Sequence, residues 1–311
     1  FIHVPPNQHD HGEPPQPKQS QPPKRVDIQV LRAIAVILVV LFHLDIRFFS
    51  GVVVGVNVFF VVSGYLVFGS MLNLVSQSKF SLSDFLCRRM KRLSLPSSIM
   101  LVFLLSFLLV PSASSRCSSG SCRSLFSDII SSSLHFANIH FLLGSTAYFN
   151  DDSGPPSIVL HFWSLAVEEQ LYIVIPALVI CFSFVFRRFR FADVIFLSIL
   201  SSISIIFCIF RIQSQPWRFF FILSRFWEFA IGAMIARFDH VVIPSNFKKP
   251  FVVLYSLSIV GIFIGGAFIS GNEYPNWTTI PIVFLTGFLI FCKFDYKLPV
   301  VETFGNMSYS I

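Results

Sequence analysis

Arg32 and His43 bracket an uncharged run, "RAIAVILVVLFH". Eleven residues make about three helical turns, so the two positions share a face roughly 16 Å apart along the axis. A guanidinium binds phosphate-like anions, and an imidazole suits proton transfer near neutral pH. The competing reading is two boundary residues, an arginine reaching headgroups and a histidine at the far interface. A second group lies in "HFWSLAVEEQLY", which carries His161, Trp163, Ser164, Glu168 and Glu169 at the start of an apolar helix. Paired carboxylates beside a histidine can move protons. Ser164 as an N-cap, with acidic residues in the first turn, would equally favour a helix start. Both readings stay open on spacing alone. Arg225 and Glu228 are spaced i, i+3 and can pair on one helix face, as a structural ion pair or as a support for a site residue. Asn57 and Ser63, in "GVNVFFVVSG", are polar positions able to line a cavity among residues that let helices approach closely.

These residues need a membrane to sit in. The 311 residues are 54% hydrophobic and only 13% charged, more apolar surface than a soluble domain of this length can bury. Apolar segments cover about 28–45, 52–75, 93–111, 166–186, 193–212, 219–238, 251–269 and 279–292, and a ninth begins near 303. At about 20 residues per span, the expected fold is an all-α, polytopic transmembrane bundle of roughly 8–10 helices. The stretch 125–143 is apolar but carries Asp128, His135, Asn138 and His140. It is expected to be a re-entrant segment buried against protein, since polar groups facing lipid are costly.

Charge asymmetry sets the orientation. With the N-terminus cytoplasmic and 125–143 not crossing, 16 Lys and Arg fall in cytoplasmic loops, including Lys79, Arg88, Arg89, Lys91 and Arg92, against 5 on the other side. The net charge of +7 is thereby accounted for without nucleic acid as a partner. Residues 1–26, rich in Pro and Gln, read as a disordered cytoplasmic tail. In the outer loop, Cys117 and Cys122 are a disulfide candidate. They are too few for a zinc site, and no metal is expected. Asn276, in "NWT", is a glycosylation candidate on the same side. The membrane is expected to be the plasma membrane or an endomembrane, and the sequence does not fix an oligomeric state. There is no convincing nucleotide-binding or soluble hydrolase motif.

Several of these motifs, in order, resemble the acyltransferase 3 family of integral membrane O-acyltransferases. "RVDIQVLRAIAVILVVLFH" is similar to its first helix, "GVNVFFVVSGYL" to its second, and "HFWSLAVEEQLY" to its Trp-Ser-Leu-x-x-Glu-Glu-Gln motif. "RFWEFAIGAM" resembles a later helix, and "FGNMSYSI" resembles the start of another. The Phe-rich character is similar to the nematode branch. The resemblance implies a membrane domain over 27–311, cut short at its C-terminus, that carries out O-acetylation or a related acyl transfer. The acyl group would pass from acyl-CoA, as co-substrate with no bound cofactor, to a hydroxyl of a carbohydrate or lipid-like acceptor. It implies His43 as the essential histidine, Arg32 as donor contact, and Glu168 with Glu169 as groups that orient the histidine or organise the outer site. Two departures stand out. Asn57 occupies a position where the family usually has Asp, which puts acid–base work there in doubt, and Val30 replaces a common Gly. A transporter or lipid-handling protein using a buried Arg/His/Glu relay is the alternative. Inverted repeats and paired broken helices, the marks of many transporters, are not evident.

Overall fold

The computed structural model describes residues 25–44, 53–108, 119–144, 157–185, 191–211, 214–241, 248–268 and 275–293. Every regular element among them is helical. In chain order these are α1 (Val26–His43), α2 (Val53–Ser76), α3 (Leu82–Leu108), α4 (Ser119–Ser133), α5 (Ala137–Gly144) and α6 (Phe162–Val185). They continue with α7 (Ala192–Ile206, extended by a π turn over Phe207–Arg211), α8 (Gln215–Phe220), α9 (Ile222–Arg237), α10 (Lys248–Phe268) and α11 (Thr279–Cys292). Five stretches, within α2, α3, α6, α7 and α8–α9, are long and apolar enough to cross a membrane. The expected all-helical polytopic bundle is what the chain forms.

The bundle is built around α2 and α9, which pack more extensively on each other than any other pair. Their backbones meet at Gly64 and Gly232. A Cβ on Gly64 would stand 1.9 Å from the Phe229 carbonyl oxygen, and one on Gly232 would stand 1.9 Å from that of Val61. Transmembrane helices have little hydrophobic drive to associate within lipid, so such close backbone approach is a main source of their adhesion. α1 lies antiparallel against α2, with Arg25 bonded to Tyr65 and Ala35 against Gly55.

Three sequence expectations change here. The cations of 88–92 are not in a loop. α3 begins at Leu82, eleven residues before the expected span, and continues through Pro96, so Arg88, Arg89, Lys91 and Arg92 are helical. Hydropathy under-reads a helix whose first turns project beyond the apolar layer. Ser164 is not an N-cap. α6 starts at Phe162, which puts Ser164 inside its first turn, where its hydroxyl donates to the His161 carbonyl at 3.1 Å. The third change concerns 125–143, which divides into α4 and α5. α4 ends in a Schellman closure, with Phe136 N–H donating to Ser131 O at 2.9 Å and His135 N–H to Ser132 O at 3.2 Å. His135 takes the left-handed conformation this requires, with φ 56°. The arms fold back, and His140 Nε2 meets Asp128 Oδ1 at 2.7 Å. In one straight helix those residues would be about 18 Å apart. A broken, folded-back segment is the form expected of one that enters without crossing.

The N-terminal tail, the Ser-Tyr-Ser stretch near 308 and Cys117 lie outside the described residues. Cys122 falls within α4, but its side chain does not belong to the described part, so the disulfide candidate is not addressed.

Candidate active site

The polar side chains occupy successive levels along the bundle. At the end where the chain enters α1, Arg25 pairs with Asp27 and also with Asp239 at 3.1 Å, and it donates to Tyr65 and to the Ile290 carbonyl. Lys293 meets the same Asp239 at 3.0 Å. Burial alone would push the Asp239 carboxyl up. Hydrogen bonds from Tyr65 and Lys293, with the charges of Lys293 and Arg25, outweigh it and hold the group below the usual carboxylate range.

Just above Tyr65 is the level of Glu168. Its Oε1 accepts hydrogen bonds from the Ser63 hydroxyl of α2 and from Tyr172, one turn further along α6. Among the described residues, Oε2 has no hydrogen-bond partner, and it is not sealed in the interior. Glu168 is therefore fixed by two hydroxyls at one oxygen and open at the other. Glu169 points elsewhere. It is 4% exposed, accepts from Ser94 of α3 at 3.3 Å and lies 3.0 Å from His135 Nε2, an ion-pair contact without hydrogen-bond alignment. Gln170 points elsewhere again, forming a reciprocal amide pair with Asn138 at 2.9 and 3.2 Å. A helix turns about 100° per residue, so three adjacent side chains reach three different neighbours.

Further along α2, its end and the start of α3 line a cleft of about 560 Å³, with Lys79, Arg88, Arg89, Arg92, Ser70 and Phe85 among its walls. Arg89 donates to Ser70 Oγ at 2.7 Å and also acts electrostatically on Tyr172, the partner of Glu168. The sequence reading treated these cations only as markers of orientation. Their i, i+1 and i+4 spacing on a helix was the missed signal, since it brings three guanidiniums to one side.

Higher in the bundle, Arg225 and Glu228 pair at 2.9 Å and are both fully buried. Arg225 also donates to the Phe219 carbonyl at 3.1 Å and stands over the rings of Trp163 and Phe219 at 5.4 and 5.3 Å. Asn57, with no exposed surface, stands close to Glu228. Removing one partner of a buried pair of this kind costs about 3–5 kcal/mol, because the other charge is stranded. This cluster joins α2, α6, α8 and α9 into one unit. An Asp at position 57 would have brought a second anion to a single guanidinium, whereas the amide keeps the group neutral overall.

Arg32 is half-buried on α1. His161 is exposed at the mouth of α6, its ring 4.9 Å from that of Phe162. His43 is the last residue of α1; its side chain lies outside the described part. Because Arg25 is level with Tyr65, helix rise puts the Glu168–Ser63 level on the order of 20 Å below the His43 turn. Glu168 thus lies nearer the end of the bundle that carries the basic cleft than the turn of that histidine. Asn276 accepts from both the backbone N–H and the hydroxyl of Thr278, closing a tight turn within its sequon. Among the described residues no group of three or more His, Cys, Asp or Glu could hold a metal ion.

Long apolar helices around a polar interior, with a basic cleft at one end, define an integral membrane protein. Residues 25–311 match the acyltransferase 3 profile, described as an acyltransferase domain, and the chain belongs to that family. It is 32% identical over 209 residues to a Bacillus subtilis protein provisionally named a peptidoglycan O-acetyltransferase, covering 66% of this chain and 32% of that one. It is 28% identical over 299 residues to a provisionally named O-acetyltransferase of Staphylococcus aureus, 90% of this chain and 48% of that one. It is also 35% identical over 159 residues to the peptidoglycan O-acetyltransferase of Listeria monocytogenes, 50% of this chain and 24% of that one. The chain thus spans half or less of the length of these relatives. No solved structure matches it.

Proposed function

We propose that the chain is the membrane domain of an O-acyltransferase that moves an acyl group, acetyl in the simplest case, from cytoplasmic acyl-CoA to a hydroxyl of a carbohydrate or lipid-like acceptor. The observation that carries this reading is the basic cleft, which gathers Lys79, Arg88, Arg89 and Arg92 in one wall. Acyl-CoA is a polyphosphorylated thioester, and clustered guanidiniums suit phosphate oxygens by bidentate, charge-assisted bonds. The excess of Lys and Arg at this end of the bundle supports a cytoplasmic N-terminus, the side where acyl-CoA is made.

In this reading the phosphates are held by Arg88, Arg89, Arg92 and Lys79. Arg32 supplies a further cation on α1. The thioester arm extends along the bundle past Glu168 towards the turn of His43. Acyl transfer breaks the carbon–sulfur bond and forms a carbon–oxygen bond, and the acceptor's hydroxyl proton finally resides on the CoA sulfur. His43 either removes that proton or carries the acyl group transiently. Glu168, fixed at one oxygen and open at the other, accepts a hydrogen bond from the donor arm or a proton in transit. The relatives' names make a polymer hydroxyl the acceptor class to test first.

The test is transfer of radiolabel from acetyl-CoA to endogenous hydroxyl acceptors in membranes containing the full-length protein. Wild-type protein transfers label, and His43→Ala abolishes transfer with insertion intact. Arg89→Gln raises the acetyl-CoA KM about tenfold, an effect that shrinks as salt screens the wild-type cleft. Absence of acetyl-CoA-dependent label in wild-type membranes, or full transfer by His43→Ala, contradicts the proposal.

A further inference from the structure

His135 plays no part in the chemistry outlined above, yet it is held from several directions. It occupies the left-handed position that ends α4, its carbonyl accepts from Gln170 Nε2 at 3.1 Å, and its ring meets Glu169 at 3.0 Å. Glu169 is a carboxylate inside a membrane bundle, and a charge at that depth persists only when it is paired. The basic side chain within ion-pair reach of it is His135, whose Nε2 lies 3.0 Å from its carboxylate. One residue further along, the contact between the same two elements is repeated in neutral form by Asn138 and Gln170.

We propose that His135 is a positioning residue: its ring pairs with the Glu169 carboxylate and, with the Asn138–Gln170 pair, clamps the broken α4–α5 segment onto α6. That clamp fixes the turn of α6 from which Glu168 projects towards Ser63. The three consecutive residues Glu168, Glu169 and Gln170 thus divide the labour. The first faces the site, and the next two fasten the re-entrant segment. The choice of histidine at this junction follows from two demands, since it tolerates the left-handed backbone better than most residues and presents a basic ring nitrogen to the carboxylate. The catalytic consequence rests on the acyltransferase reading; the clamp itself does not.

The test is a double-mutant cycle on the full-length protein in nanodiscs, with two readouts. His135→Asn keeps a residue suited to the left-handed backbone and strands the Glu169 charge. Glu169→Gln strands the histidine. The double variant His135→Asn/Glu169→Gln installs the same amide pairing that Asn138 and Gln170 already make. Each single substitution is expected to raise deuterium uptake at the α4–α5 junction and to lower kcat about tenfold with little change in acetyl-CoA KM, and the double variant to return to within about threefold of wild type. Recovery of protection in the double variant supports the clamp even if no acetyl transfer is found, an outcome that would sink the acyltransferase reading alone. Additive losses in the double variant, or unchanged protection in His135→Asn, overturn the proposal. If a single variant fails to accumulate while the double variant folds, the coupling is established by yield.

Discussion

Glu168 and Glu169 are chemically identical neighbours in different situations. Glu168 accepts from two hydroxyls at one oxygen and leaves the other open, towards the end of the bundle that also carries a cleft with several cations. Glu169 is buried with both oxygens engaged, one by Ser94 and one by His135. A carboxylate that must act on a ligand needs a free lone pair and access. One that must hold helices together needs neither. The rotation of about 100° between adjacent helical residues is enough to assign the two roles. Arg225–Glu228 extends the lesson. It is the most deeply buried ion pair among the described residues, and Arg225 is further held by the Phe219 carbonyl and the rings of Trp163 and Phe219.

The comparison fails if the α2–α9 platform beneath Ser63 is removed. Gly232→Ala forces a methyl group into the Val61 carbonyl, with no flexible side chain to yield. We expect folded, monodisperse protein to fall at least about tenfold, since overpacking against backbone exceeds the usual 1–3 kcal/mol of side-chain crowding. Normal yield by size-exclusion chromatography would show that the crossing is looser than described. Asn57→Asp tests the assignment of the upper cluster to structure. A third charge beside Arg225 and Glu228 should cost about 1–3 kcal/mol, seen as a lower midpoint of thermal unfolding in detergent. An unchanged or raised midpoint would mean that the cluster has room for another anion.

The smallest effect is expected at the Arg25–Asp239–Lys293 cluster, which touches neither carboxylate of the pair. The Asp239 carboxyl is held below its unfolded value, so its contribution to stability is fully present above about pH 4. It is lost as pH falls through the folded value. Asp239 is half-exposed, which limits that contribution to under about 1 kcal/mol. Asp239→Asn should lower the unfolding midpoint slightly at pH 7, with the difference from wild type closing on acidification. A difference that grows in acid would reverse the assigned sign.

Much of this was legible in the residues. Long apolar runs, the cation asymmetry and the polar character of 125–143 lead to a helical bundle with one broken segment, because lipid leaves the backbone few alternatives. Arg225 and Glu228 were legible as a pair because i, i+3 spacing is a local property of a helix. The division between Glu168 and Glu169 was not, since it depends on which of α2, α3 and α5 packs on each side of α6. The basic cleft was hidden for a different reason. Arg88, Arg89 and Arg92 satisfy an orientation rule wherever they lie near that interface, so their count did not reveal that α3 gathers them into one concavity. The N-cap reading of Ser164, left open by the spacing, does not hold because the helix begins two residues earlier, at aromatics that are buried, Phe162 and Trp163.

The most direct test compares the two carboxylates in one assay. Acetyl-CoA-dependent transfer is measured for Glu168→Gln and Glu169→Gln at matched amounts of folded protein, each with and without His135→Asn. The account predicts that Glu168→Gln loses at least about a hundredfold in kcat, the scale of a lost proton-transfer or donor-positioning group, and that His135→Asn restores nothing. It predicts that Glu169→Gln loses about tenfold and is largely restored by His135→Asn. Greater residual activity in Glu168→Gln than in Glu169→Gln would contradict it.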